Sequence, residues 1–83
     1  MMTLKAQLLT VSETFAASTS LSESRISTMV FNDGKVLARL RGGADVTTGR
    51  FERAMEWFAG NWPSQVDWPA GVSRPTAVEK ATP

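Results

Sequence analysis

The sequence predicts an all-α protein of four to five short helices, followed by an extended segment that contains tryptophan and proline. Apolar residues recur at intervals of three and four in four successive stretches, as on one face of an α-helix. No stretch of five or more residues alternates between apolar and polar side chains, as a half-buried strand would. The predicted helices span residues 3–19, 22–31, 34–41 and 47–60.

The first two helices are predicted from their apolar faces and from the polar residues between them. The face of the first helix holds Leu4, Leu8, Val11 and Phe15, with Thr3 as its N-cap. Serine and threonine at 18–20 end it, because their side chains bond to nearby backbone and favour turns and caps. Ser20 or Ser22 caps the second helix, with Glu23 in its first turn. The buried face of the second helix is expected to hold Ile26, Met29 and Val30.

The last two helices are bounded by glycine, asparagine and proline. Asn32-Asp33-Gly34 ends the second helix and begins the third. The apolar face of the third helix is expected to hold Val36, Leu37 and Leu40. Gly42-Gly43 supplies the left-handed residue that commonly ends a helix. Thr47 opens the fourth helix, whose core face holds Phe51, Ala54, Met55 and Phe58.

The sequence changes character after the fourth helix. Trp62-Pro63 and Trp68-Pro69 stand six residues apart, and proline favours extended backbone there. This segment is expected to lie across the helices, where its tryptophans close the core, form a dimer contact or bind a partner. Residues 72–83 are predicted to form a disordered tail. The chain therefore divides into a helical domain (1–62), a packed segment (63–71) and the tail (72–83).

Composition excludes several functions. The 83 residues carry a net charge of +1, and cysteine, histidine and tyrosine are all absent. Disulfides, zinc sites built on Cys or His, and a histidine general base are therefore excluded. No phosphate-binding loop, HExxH motif, EF-hand or internal repeat is found. We expect no enzymatic activity, no metal, no cofactor and no small-molecule ligand.

The predicted location is the cytoplasm. The sequence opens without a basic region followed by an apolar run, which a secretory signal would show. No stretch reaches the roughly 18 apolar residues needed to cross a bilayer. We therefore expect no membrane partner.

The segment around the first turn has the spacing of a helix-turn-helix. This motif needs a small residue where the helices cross, a compact turn, an apolar anchor after the turn and an inner apolar pair. Ala16 is the small residue, Ser20 stands at the turn where glycine is usual, and Leu21 is the anchor. Ile26 and Met29 form the inner pair.

This segment also resembles a known family. Residues 12–31 resemble the helix-turn-helix of phage-repressor-type transcriptional regulators, and Leu-Ser-Glu-Ser-Arg-Ile-Ser is similar to the opening of their recognition helices. A wider pattern over residues 4–70 is similar to short regulators of prophages and integrative conjugative elements in Alphaproteobacteria. That pattern comprises Leu21, Phe31-Asn32-Asp33-Gly34-Lys35, Leu40, Gly43, Thr47-Thr48, Arg50, Trp57-Phe58 and Trp62-Pro63. The chain departs from the usual repressor domain by a helix at 33–41 after the recognition helix.

The second helix is expected to read DNA bases in the major groove. The candidate base-contacting residues are Ser22, Glu23, Ser24, Arg25, Ser27 and Thr28. Short hydroxyl side chains let a helix approach the bases closely. Arg25 is expected to contact guanine bidentately or to bind a phosphate. Glu23 accepts from a cytosine amino group or supports the helix end.

The phosphate contacts are expected from the basic residues that follow. Six basic and three acidic residues lie between 25 and 53, so this stretch carries +3 and the rest of the chain −2. Such a polarity suits a side that faces phosphates. The candidate phosphate-contacting residues are Lys35, Arg39, Arg41, Thr47 and Arg50.

These patterns together predict a transcriptional regulator that binds double-stranded DNA. A homodimer is expected, since two-fold symmetry doubles the base contacts across a palindromic operator. The resemblance implies a repressor of its own operon on a mobile genetic element. The alternative is a protein-binding antiactivator on the same scaffold, with exposed Trp62 and Trp68 as anchors.

Overall fold

The protein is described by a computed structural model over residues 3–75. The helices are α1 (Leu4–Thr19), α2 (Glu23–Phe31), α3 (Val36–Arg41) and α4 (Thr48–Asn61). No strand occurs within residues 3–75, so the all-α prediction is confirmed. Each helix end lies within two residues of its predicted position, because local caps and apolar spacing determine these ends.

Hydroxyl side chains begin three of the helices. The Thr3 hydroxyl accepts a hydrogen bond from the Ala6 N–H over 3.0 Å. Ser22 caps α2 in the same way: its hydroxyl oxygen accepts from the backbone N–H of Arg25 over 3.1 Å. Thr47 caps α4 by accepting from the N–H three residues further on. Each cap satisfies a backbone donor that the first turn of a helix leaves without a partner.

Left-handed residues end the first two helices. Ser20 has φ 63° and Asn32 has φ 60°. Each donates its backbone N–H over 2.8 Å, Ser20 to the Ala16 carbonyl and Asn32 to the Thr28 carbonyl. Asparagine adopts this region more readily than most residues. Ser20 adopts it in the turn between α1 and α2, without the freedom that glycine would have there.

The core lies where α1 and α4 pack together, and α2 and α3 close its other side. Phe15 of α1 contacts three aromatic rings: those of Trp57, Phe58 and Trp62 lie 5.4–5.8 Å from its own, centroid to centroid. The buried core residues are Leu8, Val11, Phe15, Ile26, Val36, Leu37, Leu40, Ala54, Met55, Phe58, Trp62 and Val72. Leu4 was predicted to share the buried face of α1. It is instead exposed, because it is the first residue of the helix.

The predicted buried face of α2 is partly wrong. Ile26 is buried as expected and Val30 is half-buried, but Met29 is 41% exposed. Ser27, predicted to face outward, is fully buried in its place. The rotation of α2 about its axis thus places the Ser27 hydroxyl against α3 and leaves the Met29 thioether exposed.

The segment after α4 contains a short internal repeat that the sequence analysis missed. Trp62-Pro-Ser-Gln-Val66 and Trp68-Pro-Ala-Gly-Val72 have the same pattern. In each unit the indole N–H donates to the carbonyl of the valine four residues on, over 2.8 and 2.9 Å. The valine N–H in turn donates to the proline carbonyl of its own unit. The structure therefore builds the same tight turn twice in succession.

This segment closes the core. Trp62 is buried, and the centroids of the Trp62 and Trp68 rings lie 4.7 Å apart. Val72 is also buried, while the Arg74 guanidinium stacks over Trp68 and donates to the Ala59 carbonyl over 2.9 Å. The predicted disordered tail thus begins too early, since its residues 72–75 pack on the domain. Its residues 76–83 lie outside the described part of the chain.

Candidate nucleic-acid interface

The outward side of α2 is formed by four exposed residues, which we call the α2 outer face: Ser24, Arg25, Thr28 and Met29. Within residues 3–75, the Arg25 guanidinium has neither an ion-pair partner nor a hydrogen bond. Thr28 donates its hydroxyl proton to the Ser24 carbonyl over 3.1 Å. The face therefore presents a cation among short polar side chains and one thioether.

The turn between α2 and α3 packs closely against this face. A Cβ atom built on Gly34 would lie 3.1 Å from the Thr28 hydroxyl oxygen and 3.2 Å from that of Ser24. Such contacts are tighter than most Cβ atoms make, so glycine allows the turn to come this close. Lys35 follows directly and is exposed. Gly34, which the sequence analysis used only as a helix boundary, thus places a second cation beside the α2 outer face.

Ser27 does not belong to this face. Its hydroxyl donates to the Asp33 carbonyl and accepts from the N–H groups of Val36 and Leu37 over 3.0 and 3.3 Å. Lys35 at the N-cap of α3 makes no side-chain capping bond, so Ser27 caps α3 from a different helix. The candidate role of Ser27 in base contact is wrong, because a fully buried side chain cannot reach DNA.

Arg41 and Glu23 bind each other. The Arg41 Nη1 atom lies 2.7 Å from a Glu13 carboxylate oxygen, and its Nε lies 3.0 Å from Glu23 Oε1. These hydrogen bonds, first that of Glu23 and then that of Glu13, raise the pKa of Arg41 above its ordinary value. The three side chains join α1, α2 and α3 at the surface. A phosphate or a base that binds either residue has to displace this contact.

Arg39 is likewise held by a carboxylate. Its guanidinium lies 3.3 Å from Asp33 Oδ2, while Asp33 Oδ1 accepts from the Lys35 N–H over 2.9 Å. The bond from the Lys35 backbone, together with the charge and hydrogen bond of Arg39, holds the pKa of Asp33 below its ordinary value. Asp33 therefore fixes the start of α3 in its charged form.

We predict that the Asp33 carboxylate makes the stability of the fold depend on pH in the acid range. The pKa of Asp33 is lower in the folded protein than in the unfolded chain, where it is about 3.9. The charged carboxylate therefore stabilises the fold fully above about pH 3.9. This stabilisation is lost as the pH falls through the pKa of the folded state. Asp33→Asn should therefore lower the thermal midpoint at neutral pH and match the wild type in strong acid. Circular dichroism melts across this range measure the difference.

Asp45→Asn is the matched control for this experiment. It removes the same charge at a side chain that is 99% exposed and whose ion pair with Lys5, 3.7 Å long, lies at the surface, where such a pair adds little stability. A variant at Asp33 whose deficit stays constant down to strong acid would contradict the prediction.

A polar groove separates α2 from the first half of α4. It has a volume of about 430 Å³ and is lined by Val30, Phe31, Asp45, Thr47, Arg50, Arg53 and Ala54. The Arg50 guanidinium lies 5.9 Å from the centroid of the Phe31 ring. Neither Arg50 nor Arg53 forms an ion pair with any residue between 3 and 75. The Thr47 hydroxyl, a candidate phosphate ligand, accepts the capping bond and keeps its proton to donate.

Comparison of the chain with protein-family models, with curated proteins and with solved structures finds no match. None of the described helices combines the length and the apolar character needed to cross a membrane.

The candidate residues fall into two groups in the structure. The exposed residues whose charged or polar groups remain accessible are Ser24, Arg25, Lys35 and Arg50. The residues whose side chains are engaged within the protein are Ser22, Glu23, Ser27, Thr28, Arg39, Arg41 and Thr47. Met29 is an exposed member of the face although helical periodicity in the sequence placed it in the core.

Proposed function

We propose that this protein is a sequence-specific DNA-binding regulator that inserts the α2 outer face into the major groove. The observation that carries the proposal is the unpartnered Arg25 guanidinium on a helix face of short side chains. Arginine donates two parallel hydrogen bonds to guanine O6 and N7, and the neighbouring Ser24 hydroxyl donates or accepts. The Met29 side chain is suited to apolar contact with a thymine methyl group.

Phosphate contacts in this proposal come first from Lys35 and Arg50. Lys35 follows the turn that packs on the α2 outer face, and Arg50 stands at the groove between α2 and α4. Arg39 and Arg41 contribute only if a phosphate displaces the carboxylates that hold them. Such displacement reduces the net gain from each contact, so we rank these two arginines second.

The wider biological role follows from the resemblance to phage-repressor-type regulators. We propose a cytoplasmic homodimer that binds a palindromic operator and represses its own operon on a mobile genetic element. Each protomer inserts one α2 into the major groove, and the half-sites lie about one helical turn apart. An inverted repeat in the DNA that flanks the gene is the operator that this role requires.

Arg25 provides the direct test. Fluorescence anisotropy with the duplex upstream of the gene should give tight binding, with a log–log salt slope of several units. Arg25→Ala should weaken binding to the preferred site by about 1–3 kcal/mol, or roughly fivefold to 150-fold. Arg25→Lys should keep the salt-dependent part and lose preference at one base pair, since lysine does not make the paired contact.

Lys5→Ala is the control for lost charge, because Lys5 stands in the first turn of α1, where the Gly43 carbonyl and Asp45 hold its ammonium within the chain. It should bind the preferred site as the wild type does. Equal affinity for a random duplex, or a flat salt dependence, would contradict sequence-specific recognition. An unchanged base preference in Arg25→Ala would remove Arg25 from the reading role.

A further inference from the structure

The groove between α2 and α4 has an apolar side that phosphate contact does not explain. Val30 and Phe31, the last two residues of α2, line the groove and are half-buried. Ala54 of α4, which is buried, continues this apolar surface. A DNA phosphate presents charged oxygens to a protein and gains little from such a surface. The groove is therefore suited to a ligand that has an apolar part.

The other side of the groove is cationic. Arg50 and Arg53 stand three positions apart on α4, so they share one face of the helix. Neither side chain forms an ion pair or a hydrogen bond with any residue between 3 and 75. The Arg50 guanidinium lies 5.9 Å from the centroid of the Phe31 ring, so charge and ring meet in the groove. The Thr47 hydroxyl adds a proton that its capping bond leaves free to donate.

The charge balance of the groove selects an anion. Among the described residues that line it, Asp45 is the one carboxylate. The Asp45 side chain is 99% exposed, and its carboxylate lies 3.7 Å from the Lys5 ammonium. Two arginines against this one partly balanced carboxylate leave the groove positive. An anion bound there gains from both guanidinium groups.

We infer that this groove is a binding site for a small carboxylic acid that carries an apolar ring or chain. Its volume of about 430 Å³ falls within the range of about 300–1,000 Å³ that is usual for small-molecule sites, which combine apolar walls with a few polar groups. The carboxylate pairs with Arg50 and Arg53, since guanidinium groups bind carboxylates through strong, charge-assisted hydrogen bonds. The apolar group packs against Val30 and Phe31. No local sequence motif predicts this ligand, because the lining comes from two helices and from the loop before α4.

The ligand has a consequence for DNA binding, and this part of the inference rests on the proposed function. Arg50 is one of the two side chains from which the phosphate contacts are proposed to come first. A carboxylate bound to Arg50 competes with that phosphate. The ligand therefore acts as an inducer, which lowers the affinity of the protein for its operator.

Benzoate is the probe for this site, and the first experiment needs no DNA. Titration of the isotope-labelled protein, followed by NMR, should give saturable amide shifts at residues 30–31 and 47–54 with a dissociation constant of about 1 mM or lower. Acetate keeps the carboxylate and lacks the ring, whereas benzyl alcohol keeps the ring and lacks the charge. Each of these control ligands should bind at least about tenfold more weakly than benzoate.

Two substitutions test the cationic side of the groove. Arg50→Gln and Arg53→Gln should each weaken benzoate binding by at least about fivefold, because each removes one guanidinium group. Arg25→Gln is the matched control, since it removes an arginine that is also unpaired within residues 3–75 but lies outside the groove. It should leave the dissociation constant of benzoate unchanged. Circular dichroism checks that each variant is folded.

Three results would overturn the inference: benzoate gives no saturable shifts, the shifts persist unchanged in both groove variants, or a control ligand binds as tightly as benzoate. Acetate that binds as tightly as benzoate would indicate a plain anion site, of the kind that a DNA phosphate occupies.

The coupling to DNA is measured separately, by anisotropy with the duplex upstream of the gene. Saturating benzoate, compared with an equal concentration of acetate, should lower the affinity of the wild type and reduce its log–log salt slope by about one. An unchanged affinity and slope would contradict the inducer role. If the protein did not bind DNA at all, the proposed function would fail, while the benzoate titration would still decide whether the groove is a ligand site.

Discussion

Replacing Trp62 by alanine should destabilise the protein by about 3–5 kcal/mol, the usual cost of truncating a buried aromatic residue. The side chain is only 9% exposed and packs between the rings of Phe15 and Trp68. Its indole N–H also holds the Val66 carbonyl, which closes the first repeat unit. Because a domain of this size has about 5–15 kcal/mol of stability in total, the variant should lose much of its folded population on mild heating.

Urea denaturation followed by circular dichroism measures this loss. Trp62→Phe is the matched control: it keeps an aromatic ring in the core and removes the donor to Val66. It should cost about 1–3 kcal/mol, because the half-buried Val66 carbonyl loses its partner. The difference between the two variants separates packing from the hydrogen bond.

The stability of Trp62→Ala also tests the alternative hypothesis of a protein-binding antiactivator. That hypothesis needs Trp62 and Trp68 as exposed anchors for a protein partner. Trp62 is buried and Trp68 half-buried, and both indole N–H groups are bonded within the chain. If Trp62→Ala changed the free energy of unfolding by less than about 0.5 kcal/mol, as surface substitutions usually do, the anchor hypothesis would regain its basis.

Local signals explain why the helices could be predicted from the sequence. Thr3, Ser22 and Thr47 each bond to the backbone three residues away, so their roles depend on neighbours in the chain. Asn32 likewise ends α2 through its own backbone conformation. Helix ends of this kind need no knowledge of tertiary structure.

The candidate site could be predicted less well, because its contacts join distant parts of the chain. Arg41 binds carboxylates 18 and 28 residues earlier in the sequence, so its charge looked available in the sequence alone. The spacing of the two Trp-Pro pairs was visible, yet the valines that complete each unit gained meaning only from the indole bonds. The net charge of residues 25–53 therefore overstated the number of cations that are available to bind DNA, since Arg39 and Arg41 are paired with carboxylates.

Ser27 is the residue whose role differs most from the sequence prediction, and replacing it by alanine should cost about 2–6 kcal/mol. The substitution leaves two buried backbone donors, the N–H groups of Val36 and Leu37, without an acceptor. Each buried unsatisfied group costs about 1–3 kcal/mol. Chemical denaturation measures the total, and hydrogen exchange should show faster exchange at these two amides.

Ser24→Ala is the matched control, because it removes a hydroxyl of the same helix from an exposed position. It should change stability by less than about 0.5 kcal/mol. The opposite ranking, with Ser24→Ala costly and Ser27→Ala neutral, would contradict the capping role.

The role of Ser27 also determines what α2 can present to DNA. Its bonds to the start of α3 fix the rotation of α2, so Arg25 and Met29 point outward together. If α2 were held only by apolar contacts, burial of Met29 would be favoured. The helix would then rotate about its axis, and the α2 outer face would no longer point outward as a whole. Ser27→Ala should therefore weaken DNA binding only as far as it unfolds the protein or loosens α2. At a temperature where the variant is fully folded, its base preference should equal that of the wild type, whereas Arg25→Ala should lose that preference without losing stability.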